Sequence, residues 1–476
     1  MLIDFHALAP IALFGKANKT FCRTLLINCL LITPALSDQS SANLNLETSV
    51  GVPNSAPLLL SDAINTALHN DPWLAGNLQQ QKALKAKAIA SAALPNPKIS
   101  LALANLATDS LEFKQENMSQ LKLSASQMLP RGNSQSLKKI KFTQMGEALP
   151  HQHHNRRAQL SLQVSQSWLD TYKAQESLAL IVENRPLFEQ LIDIAQSKYT
   201  SAVGKTRQQD VVRAQLELTR LDDRAARLRQ QQEVGLATLS QWISDEESIG
   251  LRTHKGAKAK AFIHHLDRQL PKLDPPSIST TDTSAVLLTH PAVLAIDKHI
   301  NASQTDISLA EQHYKPQFGI NAAYAYRDDA PNGMERTDFF SVGLGFDLPL
   351  FTGKKQDQEV KAAAANAESI KTRKWLLLRE LYAGFDAADT QLLRLNERQH
   401  LYKSRLLPQM HEQSEASLNA YTNDVGDFAE VMRSRIAELN AHIDHLSINV
   451  DRQKTIAKLN YFFAGGKRLP TGDRYE

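Results

Sequence analysis

From Asp338 to Lys354 the chain reads D-F-F-S-V-G-L-G-F-D-L-P-L-F-T-G-K. Val342, Leu344, Phe346 and Leu348 fall on one side of the alternation, and Ser341, Gly343, Gly345 and Asp347 on the other. A period of two with one oily face and one small, polar face predicts a β-strand. Pro349 and Gly353 end it, and a long helical pattern follows. Upstream, Phe318, Ile320, Ala322, Tyr324 and Tyr326 alternate with Gly319, Asn321, Ala323 and Ala325. The polar stretch 327–337 between the two runs, with its Asp-Asp pair, Pro331 and Gly333, makes them a hairpin. A soluble core strand buries its oily face under other elements, but here both flanks are long polar helices. The pattern fits a face turned to lipid, as in a membrane β-barrel.

The first half of the chain carries a weaker version of the same order. Residues 58–93 predict a helix, with Ser61 as its cap and Asp71-Pro72 as an interruption. Ile99, Leu101 and Leu103 then alternate with Ser100, Ala102 and Ala104; Leu121, Leu123 and Ala125 alternate with Lys122, Ser124 and Ser126. Asn105 and Gln127 interrupt the oily face of this first hairpin. Pro130 and Gly132 close it, and helix-favouring sequence runs to about Tyr199. Pro72, Pro97 and Pro130 recur 219 positions later as Pro291, Pro316 and Pro349. Pro186, Tyr199 and Gly204 recur 222 positions later as Pro408, Tyr421 and Gly426. Each half therefore runs helix, hairpin, very long helix, tight turn and returning helix, an internal repeat.

The returning helices carry a seven-residue period. Val211, Ala214, Leu218, Leu221, Ala225, Leu228, Leu239 and Trp242 fall on alternating steps of three and four, as do Met432, Ile436, Leu439, Ile443, Leu446 and Val450. Such a pattern predicts helices packed side by side over many turns. The helix from Gly132 to Tyr199 would reach about 100 Å at 1.5 Å per residue, with Pro150 and Pro186 kinking it rather than ending it.

Composition then narrows the class. The chain has 476 residues and a net charge of +4, which gives no nucleic-acid surface. Outside the leader no apolar run is long enough for a transmembrane helix. Lys16, Lys19 and Arg23 precede the apolar run 24–33, and Ala35-Leu36-Ser37 offers a cleavage site, so residues 1–37 read as a signal peptide. Both cysteines, Cys22 and Cys29, lie inside it; the Asn28 before Cys29 disfavours lipid anchoring. The domains expected are the leader 1–37, a first repeat 38–243, a polar connector 244–284, a second repeat 285–465 and a tail 466–476.

Four strands per chain cannot close a barrel in lipid, where unpaired edges are costly. Two copies would supply eight strands and a filled interior; three would supply twelve and leave a lumen.

This duplicated order of hairpin, proline, long helix, Tyr-x-x-x-x-Gly turn and returning helix resembles the outer-membrane efflux protein family of TolC-like channels. The phrases D-L-P-L-F at 347–351 and L-L-P-Q at 406–409 are similar to the branch serving heavy-metal (cobalt–zinc–cadmium type) resistance pumps. The resemblance implies an α+β membrane protein. It would be a homotrimer with a twelve-stranded β-barrel in the outer membrane and a coiled-coil α-helical barrel in the periplasm. It also implies a periplasmic adaptor and an inner-membrane pump of the RND type as partners, and export of heavy-metal cations or other small toxic compounds. An exit duct for a type I protein secretion system and a pore-free periplasmic scaffold are the rival readings; the lipid-facing alternation disfavours the scaffold.

Val203-Gly204 and Val425-Gly426 lie at the two turns, where glycine would permit the positive φ that reverses a chain. The resemblance implies that these Val-Gly pairs form the tunnel mouth that receives the adaptor. Asp424 and Asp427 flank the second turn, and a threefold axis would gather them into an acidic gate. His153 and His154 are adjacent and so diverge on a helix; with His151 they make a poor metal site. No phosphate loop, nucleophile elbow or His-Glu-x-x-His is present, so no catalysis, cofactor or metal site is expected, and a partner must supply the energy.

Overall fold

The structure, a computed structural model, describes residues 57–200, 207–244, 265–276 and 283–465. The leader, the Val203-Gly204 turn, most of the connector and the tail lie outside the described residues. The chain opens with α1 (Leu60–Asn70) and α2 (Pro72–Ala92). Ser61 is not the cap: α1 begins one residue earlier, after Leu59, with no side-chain cap at all. The break at residue 71 is as expected, and Asp71 caps α2 by accepting from the Trp73 N–H at 3.1 Å. Arg156 holds the same carboxylate at 2.7 Å.

Strands β1 (Lys98–Ala104) and β2 (Gln120–Met128) form the first hairpin, and β3 (Gln317–Tyr326) and β4 (Phe339–Asp347) the second. All four join one antiparallel sheet in the order β1-β2-β3-β4, leaving β1 and β4 with one neighbour each. Phe318 pairs with Phe346, Ile320 with Leu344 and Ala322 with Val342, so the oily positions share one face. Gly319 pairs with Gly345 and Asn321 with Gly343 on the other. Val342, Leu344 and Phe346 are 67%, 65% and 59% exposed, because no element among the described residues covers that face. Leu348 is equally bare but lies one residue past the end of β4. Gln127 does fall on the oily face, opposite Ile320, and satisfies its amide on the Pro95 carbonyl at 2.7 Å. Asn105 lies just beyond β1 with a φ of 57°.

Each hairpin leads into a very long helix. α3 (Ser134–Thr200) runs 67 residues through both Pro150 and Pro186 without a break. α4 (Gln208–Ile243) returns beside it. After α5 (Thr283–Leu288) and α6 (Pro291–Glu311), β3 and β4 lead into α7 (Gln356–Leu401). A five-residue π-turn (Tyr402–Leu406) then runs straight into α8 (Leu407–Thr422). α9 (Phe428–Phe462) returns.

The seven-residue pattern marks what is buried. Ala214, Leu221 and Ala225 of α4 meet Met432, Leu439 and Ile443 of α9 in a core that also takes Ile181, Phe188 and Leu191 of α3. Leu239 and Val450 join a second core around Trp168 and Tyr172. The connector is less detached than its polarity suggests: Leu266 is fully buried there and bridges to Leu58. Burial pushes the Tyr172 phenol up to about 12, and its hydroxyl donates to the Arg268 carbonyl at 3.1 Å.

Candidate functional site

The turn between α8 and α9 is built by four backbone bonds. Asn423 N–H donates to Asn419 at 3.2 Å and Asp424 N–H to Tyr421 at 3.2 Å; Val425 and Gly426 N–H both reach the Ala420 carbonyl, at 3.0 and 2.9 Å. The residue in the left-handed region is Asp424, with a φ of 59°, and not Gly426. The expectation that Gly426 supplies positive φ is therefore wrong. Its lack of a side chain serves a close approach instead: a Cβ there would lie 2.8 Å from Tyr421 N and 2.9 Å from Ala420 C. These are backbone atoms and cannot step aside. Val425, beside it, is 83% exposed.

Both acidic residues have local partners. Asp424 pairs with Lys198 Nζ at 2.7 Å. That ammonium also donates to the Tyr421 carbonyl at 3.1 Å and sits 4.5 Å from the Tyr421 ring centroid. Lys198 belongs to the last turn of α3, so the contact ties the far end of the first long helix to the second turn. Asp427 caps α9, accepting from Ala429 N–H at 3.3 Å. Tyr421 and Phe428 meet edge-on at 5.4 Å and close the core beneath. Above them lies a cleft of about 320 Å³ bordered by Arg207, Arg213, Asp210, Asp424 and Asp427. Further up the hairpin, Arg435 bridges Glu415 at 2.7 Å and Glu438 at 3.0 Å, and His411 meets Glu438 at 2.7 Å, which fastens α8 to α9.

Lys198 was not singled out in the sequence, and nothing in its spacing marks it, since its partner lies 226 positions away. Of the histidines, burial lowers the pKa of His151 and His153, and the rings of His153 and His154 are 6.1 Å apart. Among the described residues no group of three or more His, Cys, Asp or Glu is placed to hold a metal ion.

A sheet with one bare apolar face, followed by paired helices of such length, is the fold of outer-membrane channel proteins. It is similar to the outer-membrane channel OprN, with a TM-score of 0.70, 13% identity and coverage of 86% of this chain and 90% of that one. It is also similar to the Campylobacter jejuni CmeC outer membrane channel (0.67, 16%, covering 86% of each chain). A third neighbour is CusC, whose structures concern folding and transmembrane channel formation (0.67, 14%, covering 85% and 91%). These neighbours are channels, not enzymes. No family model matches the chain. No curated relative matches it.

Proposed function

We propose that the chain is the outer-membrane duct of a tripartite efflux system, passive in itself and powered by an inner-membrane pump through a periplasmic adaptor. The observation that carries this reading is the bare apolar face of a sheet with two unpaired edges, set in series with a 67-residue helix. Strands β2, β3 and β4, of nine, ten and nine residues, suit a span of about 9–11 residues per tilted strand. Three copies would close twelve strands and line a lumen with Gly319, Gly343 and Gly345. The duplication is supported by element spacing: Pro72 and Pro291 open α2 and α6, Lys98 and Gln317 open β1 and β3, and Gln120 and Phe339 open β2 and β4, each pair 219 positions apart. The cargo fits heavy-metal cations or other small toxic compounds, on the strength of the 347–351 and 406–409 phrases.

The turn Val425-Gly426, with Val203-Gly204 as its counterpart, is the docking tip for the adaptor. Asp424 and Asp427 ring the mouth about the threefold axis, and the Lys198 pair holds each copy of the turn shut until docking draws Asp424 away. A photo-crosslinking side chain at Val425 should capture the adaptor in cells. Gly426→Val should abolish that capture and efflux-dependent resistance, because its Cβ forces the turn open at a cost of roughly 1–3 kcal/mol. The barrel lies about 100 Å away along the helix, so assembly should survive. Capture at the wild-type level in an assembled Gly426→Val protein would show that the turn is not the docking site.

A further inference from the structure

One end of the sheet carries a second pattern, separate from the oily face itself. Beyond β4, Leu348, Leu350 and Phe351 stay bare at 55%, 69% and 91% exposure, although no strand continues there. Lys354 and Lys355 follow at once, both exposed. Across the same end, Lys315 precedes β3, and Lys138 and Lys139 stand on the first turns of α3; all three are exposed as well. Of the acids nearby, three are engaged and Glu311 is exposed. Asp347 pairs with Arg131, Glu359 meets His313 at 2.5 Å, and Asp357 accepts from the Tyr314 hydroxyl at 2.7 Å.

The opposite end of the sheet has the reverse balance. Its two loops carry Asp109, Glu112, Glu116, Asp328, Asp329, Glu335 and Asp338 against Lys114, Arg327 and Arg336. Of these cations, Lys114 pairs with Asp328 at 3.5 Å, and Arg327 and Arg336 bond to Asn117 at 2.8 and 2.6 Å. Charge is therefore segregated along the strands, with the excess of lysines on the helix side.

We infer that the helix-side end of the sheet is a docking belt for anionic phospholipid headgroups, with Leu350 and Phe351 in the acyl boundary and Lys138, Lys139, Lys315, Lys354 and Lys355 at the phosphates. The inference rests on the reading that the oily face meets lipid. The dimensions agree. Headgroup layers occupy about 5–7 Å on each side of the hydrocarbon. Lys138 lies four residues into α3, about 6 Å along its axis, and Lys354 lies three residues beyond Phe351. Apolar anchors backed by lysines are how a protein surface settles into an anionic interface, and each lysine near it adds to the attraction.

The test compares wild-type protein with a Lys138→Gln/Lys139→Gln/Lys354→Gln/Lys355→Gln variant. Both are reconstituted into phosphatidylcholine vesicles with and without phosphatidylglycerol as the anionic component. Protease protection of the strands reports insertion. Separately, native mass spectrometry of the extracted protein counts the lipids retained. Wild type should insert into both vesicles and retain phosphatidylglycerol over phosphatidylcholine by about tenfold, falling off as salt rises. The variant should insert equally into neutral vesicles and lose that preference. Insertion without any preference in wild type, or an undiminished preference in the variant, overturns the belt and leaves the membrane reading standing. Failure of wild type to insert into either vesicle overturns both.

Discussion

His290 has both ring nitrogens committed to opposite roles. Nδ1 accepts from the Ala292 N–H at 3.3 Å, capping α6, while Nε2 donates to the Tyr461 carbonyl at 3.2 Å near the end of α9. The ring is fully buried, with Tyr461 edge-on at 5.0 Å, and burial holds its pKa below the usual histidine value. Protonation would put a hydrogen where Ala292 already points one. The sign follows: as pH falls below about 6.5, the unfolded chain takes the proton before the folded one, so stability is lost. Thermal unfolding from pH 7.5 to 5.5 should show wild type losing stability faster than His290→Asn, with the difference bounded by about 1.4 kcal/mol per pH unit for one proton. Equal slopes would mean that His290 takes its proton as readily in the folded protein as in the unfolded chain. At the tip, the sequence singled out Gly426, Asp424 and Asp427 but gave the positive φ to the wrong one of them. Positive φ falls to Asp424, and Asn and Asp do tolerate it. Gly426 answers to a contact with residues 420 and 421 that only the closed turn creates. Lys198 was invisible for the same reason.

At the scale of elements the strands were the most legible, because a period of two survives whatever covers the face. β1 to β4 match the alternating runs to within one or two residues. The helices were legible through their buried seams, since Ala214, Leu221, Met432 and Leu439 repeat in register with the core. What sequence did not give was how the second long helix passes its proline. Pro408 has no N–H for the Ser404 carbonyl, and the chain widens to a π-turn in which Leu407 N–H reaches Tyr402 instead. Pro186, in the matching place, produces no such turn. The strand alternation has a direct consequence for mutagenesis. Leu344→Arg places a charge on the oily face and should cost roughly 2–4 kcal/mol near the bilayer midplane, lowering the yield of assembled protein. Gly345→Arg, one residue on, faces the other side, and no atom lies within 4 Å of its added Cβ. It should assemble normally and reduce conductance. Gly343 is the poorer choice, since its Cβ would meet the Asn321 amide across the pair. Equal assembly defects in the Leu344 and Gly345 variants would mean the alternation has been misread.

For the whole molecule the deciding features are the two unpaired edges, β1 and β4, and an apolar face that nothing among the described residues covers. Neither can be left in water or in lipid as a lone sheet: the edge groups lack partners, and the exposed leucines and phenylalanines would drive association. Closure by further copies answers both at once. Strand count alone leaves two or three copies open, and three is what the resemblance to TolC-like channels implies. The most direct test is the mass of the complex extracted from outer membranes in mild detergent, measured by light scattering with the detergent contribution removed. Three chains per particle are expected, recovered from the membrane fraction. Recovery as a single chain from the soluble periplasmic fraction would contradict the account at its centre.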